Sequence, residues 1–125
     1  SKDFNLDGKL DLVFSCRGVN NSGFLLGHGN GSFAGPELYS TGSPSSVSLV
    51  VADFDHEQYL DMVLVNDDSN SIEVRHGFYQ FFTTPIAYMV GVNPNALAVG
   101  DLNHDDNLDI VVANRGSNST SVLLG

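Results

Sequence analysis

The chain has 125 residues, 42% of them hydrophobic, and a formal net charge of −10 from fifteen acidic against five basic side chains. That balance excludes nucleic acid and an anionic membrane surface as natural partners and makes cations the expected counterpart. A single cysteine, Cys16, excludes a disulfide framework or a cysteine-based zinc site within this segment, and no apolar run approaches the roughly 18 residues of a membrane span.

Along the chain, the first feature is an acidic stretch, Asp3-Phe-Asn-Leu-Asp-Gly-Lys-Leu-Asp11, followed by the apolar run Leu12-Val13-Phe14 and then by Phe24-Leu25-Leu26-Gly27. A glycine-rich turn, Gly27 to Phe33, closes this unit. The pattern then returns. Strands are expected at about 46–53 and 60–66, on either side of Asp53-Phe-Asp-His-Glu-Gln-Tyr-Leu-Asp61. Further strands are expected at 70–76, beyond a turn at Asp67-Asp68-Ser69-Asn70, and at 82–90 before Pro94. A third copy runs through Ala98-Val99-Gly100, Asp101-Leu-Asn-His-Asp-Asp-Asn-Leu-Asp109, Ile110-Val111-Val112 and Val122-Leu123-Leu124-Gly125. Runs this short, separated by Gly, Asn and Ser, predict β-strands and tight turns, hence an all-β chain.

The three acidic stretches align without a gap and start 50 and then 48 residues apart, so the chain is a repeat. Four short strands per period of 40 to 50 residues is the pattern of a β-propeller blade; leucine-rich and ankyrin-type periods are shorter, and a β-sandwich would not repeat one acidic loop in register. The expected architecture is therefore an all-β propeller fragment of about two and a half four-stranded blades, with repeats at approximately 1–45 (partial), 46–93 and 94–125 (partial). Because closed propellers need about four to eight blades, the expectation is an excerpt whose neighbouring blades lie in a longer chain.

Eleven of the fifteen acids fall inside the three nine-residue loops, which is not how charge added for solubility is spread. Oxygen side chains stand at positions 1, 3, 5 and 9: Asp3, Asn5, Asp7 and Asp11; Asp53, Asp55, Glu57 and Asp61; Asp101, Asn103, Asp105 and Asp109. Position 7 varies as Lys9, Tyr59 and Asn107, as expected where only a backbone carbonyl is used. Calcium takes six to eight oxygens at about 2.3–2.6 Å, a shell these groups and one or two waters would complete. Two or three Ca2+ sites are expected, the second loop being the weakest because Glu57 is longer than Asp and Gln58 is a poor residue for the sharp turn at position 6. Positions 2 and 8 (Phe4, Phe54 and Leu102; Leu10, Leu60 and Leu108) are expected to anchor each loop on its blade. Without an ion, three or four carboxylates this close would repel one another. An EF-hand is excluded, since position 12 is Phe14, Leu64 or Val112 and not a bidentate Glu. Zinc is disfavoured because no His or Cys falls at a ligand position, with His56 and His104 read as exposed filler and His28 and His76 as solvated turn residues.

These residues resemble the FG-GAP, or VCBS-type, repeats of integrin α-subunit-like β-propellers. The resemblance spans essentially the whole chain and is carried by the Asp-x-Asx-x-Asp-Gly-x-Leu-Asp loop, best seen at Asp3 to Asp11 and at Asp101 to Asp109; Gly29-Asn30-Gly31-Ser32-Phe33 is similar to the family's inter-strand turn. It implies calcium in loops between the first and second strands of each blade, an extracellular or cell-surface setting, and adhesion or recognition of a protein or glycan ligand. Three sequons, at Asn20, Asn30 and Asn118, would permit glycosylation there.

No nucleophile elbow, P-loop or His-Glu-x-x-His is present, and repetition of the carboxylates in every copy marks scaffold, so no enzyme is expected in this segment. Two other readings differ in class. A lectin-type propeller would need an aromatic and polar cluster recurring at each blade junction, for which Tyr39 and Tyr88 are the candidates. A non-catalytic propeller appended to a hydrolase would show its catalytic motif elsewhere in the parent chain.

Overall fold

The computed structural model describes residues 2–41, 45–78 and 81–125, and contains no helix among them. Ser1, residues 42–44, and Tyr79 and Gln80 of the shorter turn lie outside that description. The described residues form twelve strands: β1 (Leu12–Cys16), β2 (Asn21–Leu25), β3 (Glu37–Ser40), β4 (Ser46–Ala52), β5 (Asp61–Asn66), β6 (Ser71–Arg75), β7 (Gly77–Phe78), β8 (Phe81–Phe82), β9 (Ile86–Met89), β10 (Pro94–Gly100), β11 (Asp109–Asn114) and β12 (Ser119–Leu123).

They assemble into antiparallel sheets of order β1-β2-β3, β4-β5-β6-β9 and β10-β11-β12, with a small β7-β8 ribbon inserted before β9. The sheets repeat one another in detail. Ala52 pairs with Asp61 and Gly100 with Asp109, and an isolated bridge pairs Lys2 with Asp11 in the same register. The registers of β4 and β10 also shift at matching places, between Ser46 and Ser48 and between Pro94 and Ala96.

Strand β5, Asp-Met-Val-Leu-Val-Asn, is buried along its whole length. Side chains alternate faces along a strand, so Val63 and Val65 point one way and Met62 and Leu64 the other, and both pairs are 0–1% exposed. The sheet is therefore covered on two sides. Val63, Val65, Ile72 and Val74 form one core with Ile110 and Val112 of the third sheet, to which Phe54, Leu97, Val99 and Leu123 add. At the first sheet, Phe24 stacks on Phe4 and Tyr39, with Phe82 edge-on to both Phe4 and Tyr39. A buried ion pair supplements this apolar contact: Arg75 Nη2 lies 2.5 Å from Glu73 and donates at 2.6 Å to the Ser40 carbonyl, tying the second sheet to the first.

Hairpin arithmetic places the functional end. Strand β5 leaves the acidic loop, turns at residues 67–70, and β6 returns, so that residues 76–77 arrive back beside residues 60–61. All three loops thus sit at the same end of their sheets, with turns 17–20, 67–70 and 115–118 at the other.

Candidate metal centres

Each acidic loop folds as a chain of side-chain to backbone hydrogen bonds, as short Asp and Asn side chains do in turns. In the first, Asp3 accepts from the backbone N–H of Asp7 (3.1 Å) and of Gly8 (2.8 Å), Asn5 from Asp7 (3.1 Å), and Asp7 from Lys9 (2.9 Å). In the second, Asp53 accepts from Glu57 and Gln58, and Asp55 from Glu57. In the third, Asp101 accepts from His104, Asp105 and Asp106, Asn103 from Asp105, and Asp105 from Asn107. The backbone is the same in all three. Position 6 is left-handed, with φ of 84° at Gly8, 72° at Gln58 and 70° at Asp106, and so is position 4, with φ of 59° at Leu6, 61° at His56 and 63° at His104. The left-handed turn expected at position 6 is present. That at position 4 leaves no chemical signature in the sequence, because Leu and His share none.

Position 9 has a role beyond that of a prospective ligand. Asp11, Asp61 and Asp109 are each 0% exposed. One oxygen of each accepts from the N–H at position 2, namely Phe4, Phe54 and Leu102, all at 2.8 Å. The other accepts from the glycine two residues beyond the returning strand: Gly27 at 2.7 Å, Gly77 at 2.7 Å and Gly125 at 2.9 Å. These carboxylates staple the loop to the segment that follows β2, β6 or β12. The glycine is required there. A Cβ at Gly27, Gly77 or Gly125 would strike the carbonyl of Leu10, Leu60 or Leu108, the residue at position 8 of the same loop. Sequence reasoning passed over these glycines, although their recurrence after each second apolar run was a usable signal.

The apolar anchors hold in part. Phe4 is buried and Phe54 joins the core, but Leu10 is 65% and Leu102 51% exposed, so positions 2 and 8 do not anchor every copy. At position 7, the Lys9 ammonium lies 3.0 Å from Asp7, Tyr59 packs its ring against Phe78, and Asn107 donates its N–H to Asp105.

Electrostatics separates the rim from the base of the loops. Asp7 is held below the usual carboxylate range, chiefly by the hydrogen bond from the Lys9 side chain, and Asp105 likewise by the Asn107 N–H. Asp61 is pushed up, by burial first and by the charge of Asp55, against the lowering effect of its two backbone N–H bonds and of His76. A raised acid favours folding in its protonated form, and that contribution is lost as pH rises through the folded value. A cation beside Asp61 would offset this loss.

Does this donor set suit calcium? The first and third loops offer four oxygen-bearing side chains each and no imidazole or thiol at positions 1, 3, 5 and 9, on a backbone already turned for them. That is the chemistry of a hard cation site, with Asp3, Asn5, Asp7 and Asp11, and Asp101, Asn103, Asp105 and Asp109, as the side chains that would hold it. The second loop differs. Asp55, Asp61 and His76 are, among the described residues, the one trio of His, Cys, Asp or Glu whose ligand atoms all lie within 4.8 Å of one another. His76, whose side chain is 37% exposed, thus places its imidazole beside two carboxylates of this loop, a neighbourhood that the reading of it as a solvated turn residue did not include.

The lectin candidates Tyr39 and Tyr88 occupy equivalent registers, facing Ser22 of β2 and Ile72 of β6, in different surroundings. Tyr39 is stacked within the aromatic contact of the first sheet, whereas Tyr88 is 43% exposed on β9.

Antiparallel sheets that repeat in register, with an acidic loop crossing from first strand to second in the second and third sheets and leading into β1 in the first, define a repeat-built propeller-type module. Residues 3–64 match the FG-GAP-like repeat and residues 93–124 the FG-GAP repeat, and the chain is accordingly built of FG-GAP-type repeats. No curated protein and no solved structure matches it.

Proposed function

We propose that this chain is part of a calcium-stabilised β-propeller, about two and a half blades of it, in an extracellular or cell-surface protein that recognises a protein or glycan ligand and performs no catalysis through this segment. The observation that carries the reading is the threefold recurrence of one loop, with the same left-handed positions, the same hydrogen bonds and oxygen side chains at the same odd positions. The match to FG-GAP repeats supports the propeller, recognition and surface parts of this reading. Calcium occupies the first and third loops, where its charge relieves repulsion among Asp3, Asp7 and Asp11 and among Asp101, Asp105 and Asp109.

Asp7 and Asp105 are exposed, so Asp7→Ala and Asp105→Ala remove a prospective ligand without opening the core. Each variant is expected to bind one calcium ion fewer than the parent chain by calorimetry, with an unchanged far-UV circular dichroism spectrum. Full calcium stoichiometry in both variants would contradict the assignment.

A further inference from the structure

The second loop departs from its sister loops in three ways that converge. Its fifth position is the longer Glu57, its sixth is Gln58 in a left-handed conformation, and the residue facing Asp61 across the hairpin is His76 where the other copies carry Leu26 and Leu124. The pairing of Met62 with Arg75 sets that last correspondence, as do Leu12 with Leu25 and Ile110 with Leu123 in the other sheets.

The His76 backbone is held in place, and its side chain, 37% exposed, has Nδ1 on its buried side. Its backbone N–H donates to Thr83 Oγ1 at 3.1 Å and its carbonyl accepts from the Thr83 N–H at 2.8 Å. Nδ1 lies 3.0 Å from Asp55 Oδ2 and 3.6 Å from Asp61 Oδ1. Neither approach has the alignment of a hydrogen bond, and Nδ1 is a buried nitrogen with no hydrogen-bond partner among the described residues.

The two carboxylates are held for the same point. Asp55 Oδ1 accepts from the Glu57 N–H, leaving Oδ2 toward the imidazole, while both oxygens of Asp61 are oriented by the Phe54 and Gly77 N–H groups. Supporting hydrogen bonds of this kind are what orient metal-bound carboxylates. Ligand atoms at about 2.0–2.1 Å from a tetrahedral ion stand roughly 3.3–3.4 Å apart, and the two nitrogen-to-oxygen separations, 3.0 and 3.6 Å, lie on either side of that spacing. Imidazole nitrogen is a poor donor to calcium, which takes oxygen, and a good one to zinc and its neighbours.

We propose that the second loop is a transition-metal site, binding zinc or a similar divalent ion through His76 Nδ1, Asp55 Oδ2 and Asp61 Oδ1, while its sister loops are all-oxygen sites. Protein ligands number three, which leaves a fourth position for water.

The test is a titration of the full chain with Zn2+ and, separately, with Co2+, in saturating calcium. One zinc ion per chain is expected, with a visible cobalt absorption band of tetrahedral intensity. His76→Leu installs the residue both sister copies carry and removes a direct ligand, so it should weaken zinc binding by more than the roughly 10- to 100-fold that loss of a residue merely supporting a ligand costs, and abolish the cobalt band. Asp55→Asn, which keeps the Glu57 hydrogen bond, should do the same and serves if the first variant melts early. Calcium stoichiometry, measured on the same samples without zinc, should not change in His76→Leu. That separates failure of this site from failure of the calcium reading. No zinc binding by the parent chain, or zinc binding that survives both substitutions, would overturn the proposal, the second outcome assigning the ion to exposed histidines such as His56 and His104.

Discussion

Replacing Asp11 by Ala is expected to destabilise the chain by about 2–5 kcal/mol, and to do so in chelator as well as in calcium. The carboxylate is fully buried and accepts from two buried backbone donors, Phe4 N–H and Gly27 N–H. Each buried donor left without a partner costs about 1–3 kcal/mol. Asp11→Asn retains one acceptor but turns an amide N–H toward the second donor, so an intermediate loss is expected. Chemical denaturation of Asp11→Ala beside Asp7→Ala makes the comparison: the first should lose stability under both conditions, the second only the calcium-dependent part. Equal melting of Asp11→Ala and the parent chain in chelator would show that position 9 serves the ion alone.

Gly77→Ala is expected to cost about 3 kcal/mol, although only a methyl group is added. Its Cβ would collide with the carbonyl of Leu60 and press within 3.3 Å of the Tyr59 Cβ. Backbone cannot rotate away as a side chain can, so β6 must lift from the loop, and the Gly77 N–H to Asp61 bond weakens with it. Overpacking contributes about 1–3 kcal/mol and loss of a hydrogen bond to a charged acceptor about 1.5–3 kcal/mol. Gly100→Ala is the control, since no atom stands within 4 Å of a Cβ there. It should stay within about 0.5 kcal/mol of the parent. Thermal melting reads both, and a Gly77→Ala chain as stable as Gly100→Ala would mean the loop and strand are not stapled as described.

Much of the fold was legible because the repeat is strong and strand signals are local. The predicted strands at 46–53, 60–66 and 70–76 coincide within a residue or two with β4, β5 and β6, and the turn at Asp67 to Asn70 is where expected. The longer stretch 82–90 instead carries the end of the β7-β8 ribbon and the shorter β9. The loops were legible as oxygen-rich turns. What spacing alone did not disclose is where each oxygen points: an aspartate at position 9 looks the same whether it faces an ion or two N–H groups. The glycine partners of that aspartate lie sixteen residues on, and only the hairpin brings them back. His76 was missed for the same reason, yet folding the sequence about the 67–70 turn would have set it opposite Asp61. Leu10 and Leu102 were misjudged as anchors because apolar character at a repeating position does not by itself supply a surface to pack on.

The central claim, that the acidic loops hold calcium and that the fold depends on it, is tested most directly by melting the full chain in calcium and in chelator. At a site affinity near ~10⁻⁴ M and about 1 mM free calcium, each occupied site adds roughly 1.4 kcal/mol. Two sites should then raise the melting temperature by roughly 10 °C, with calorimetry counting the ions bound. A folded chain that melts at the same temperature in both conditions, and takes up no calcium, would contradict the claim and leave the loops as turns held by their own hydrogen bonds.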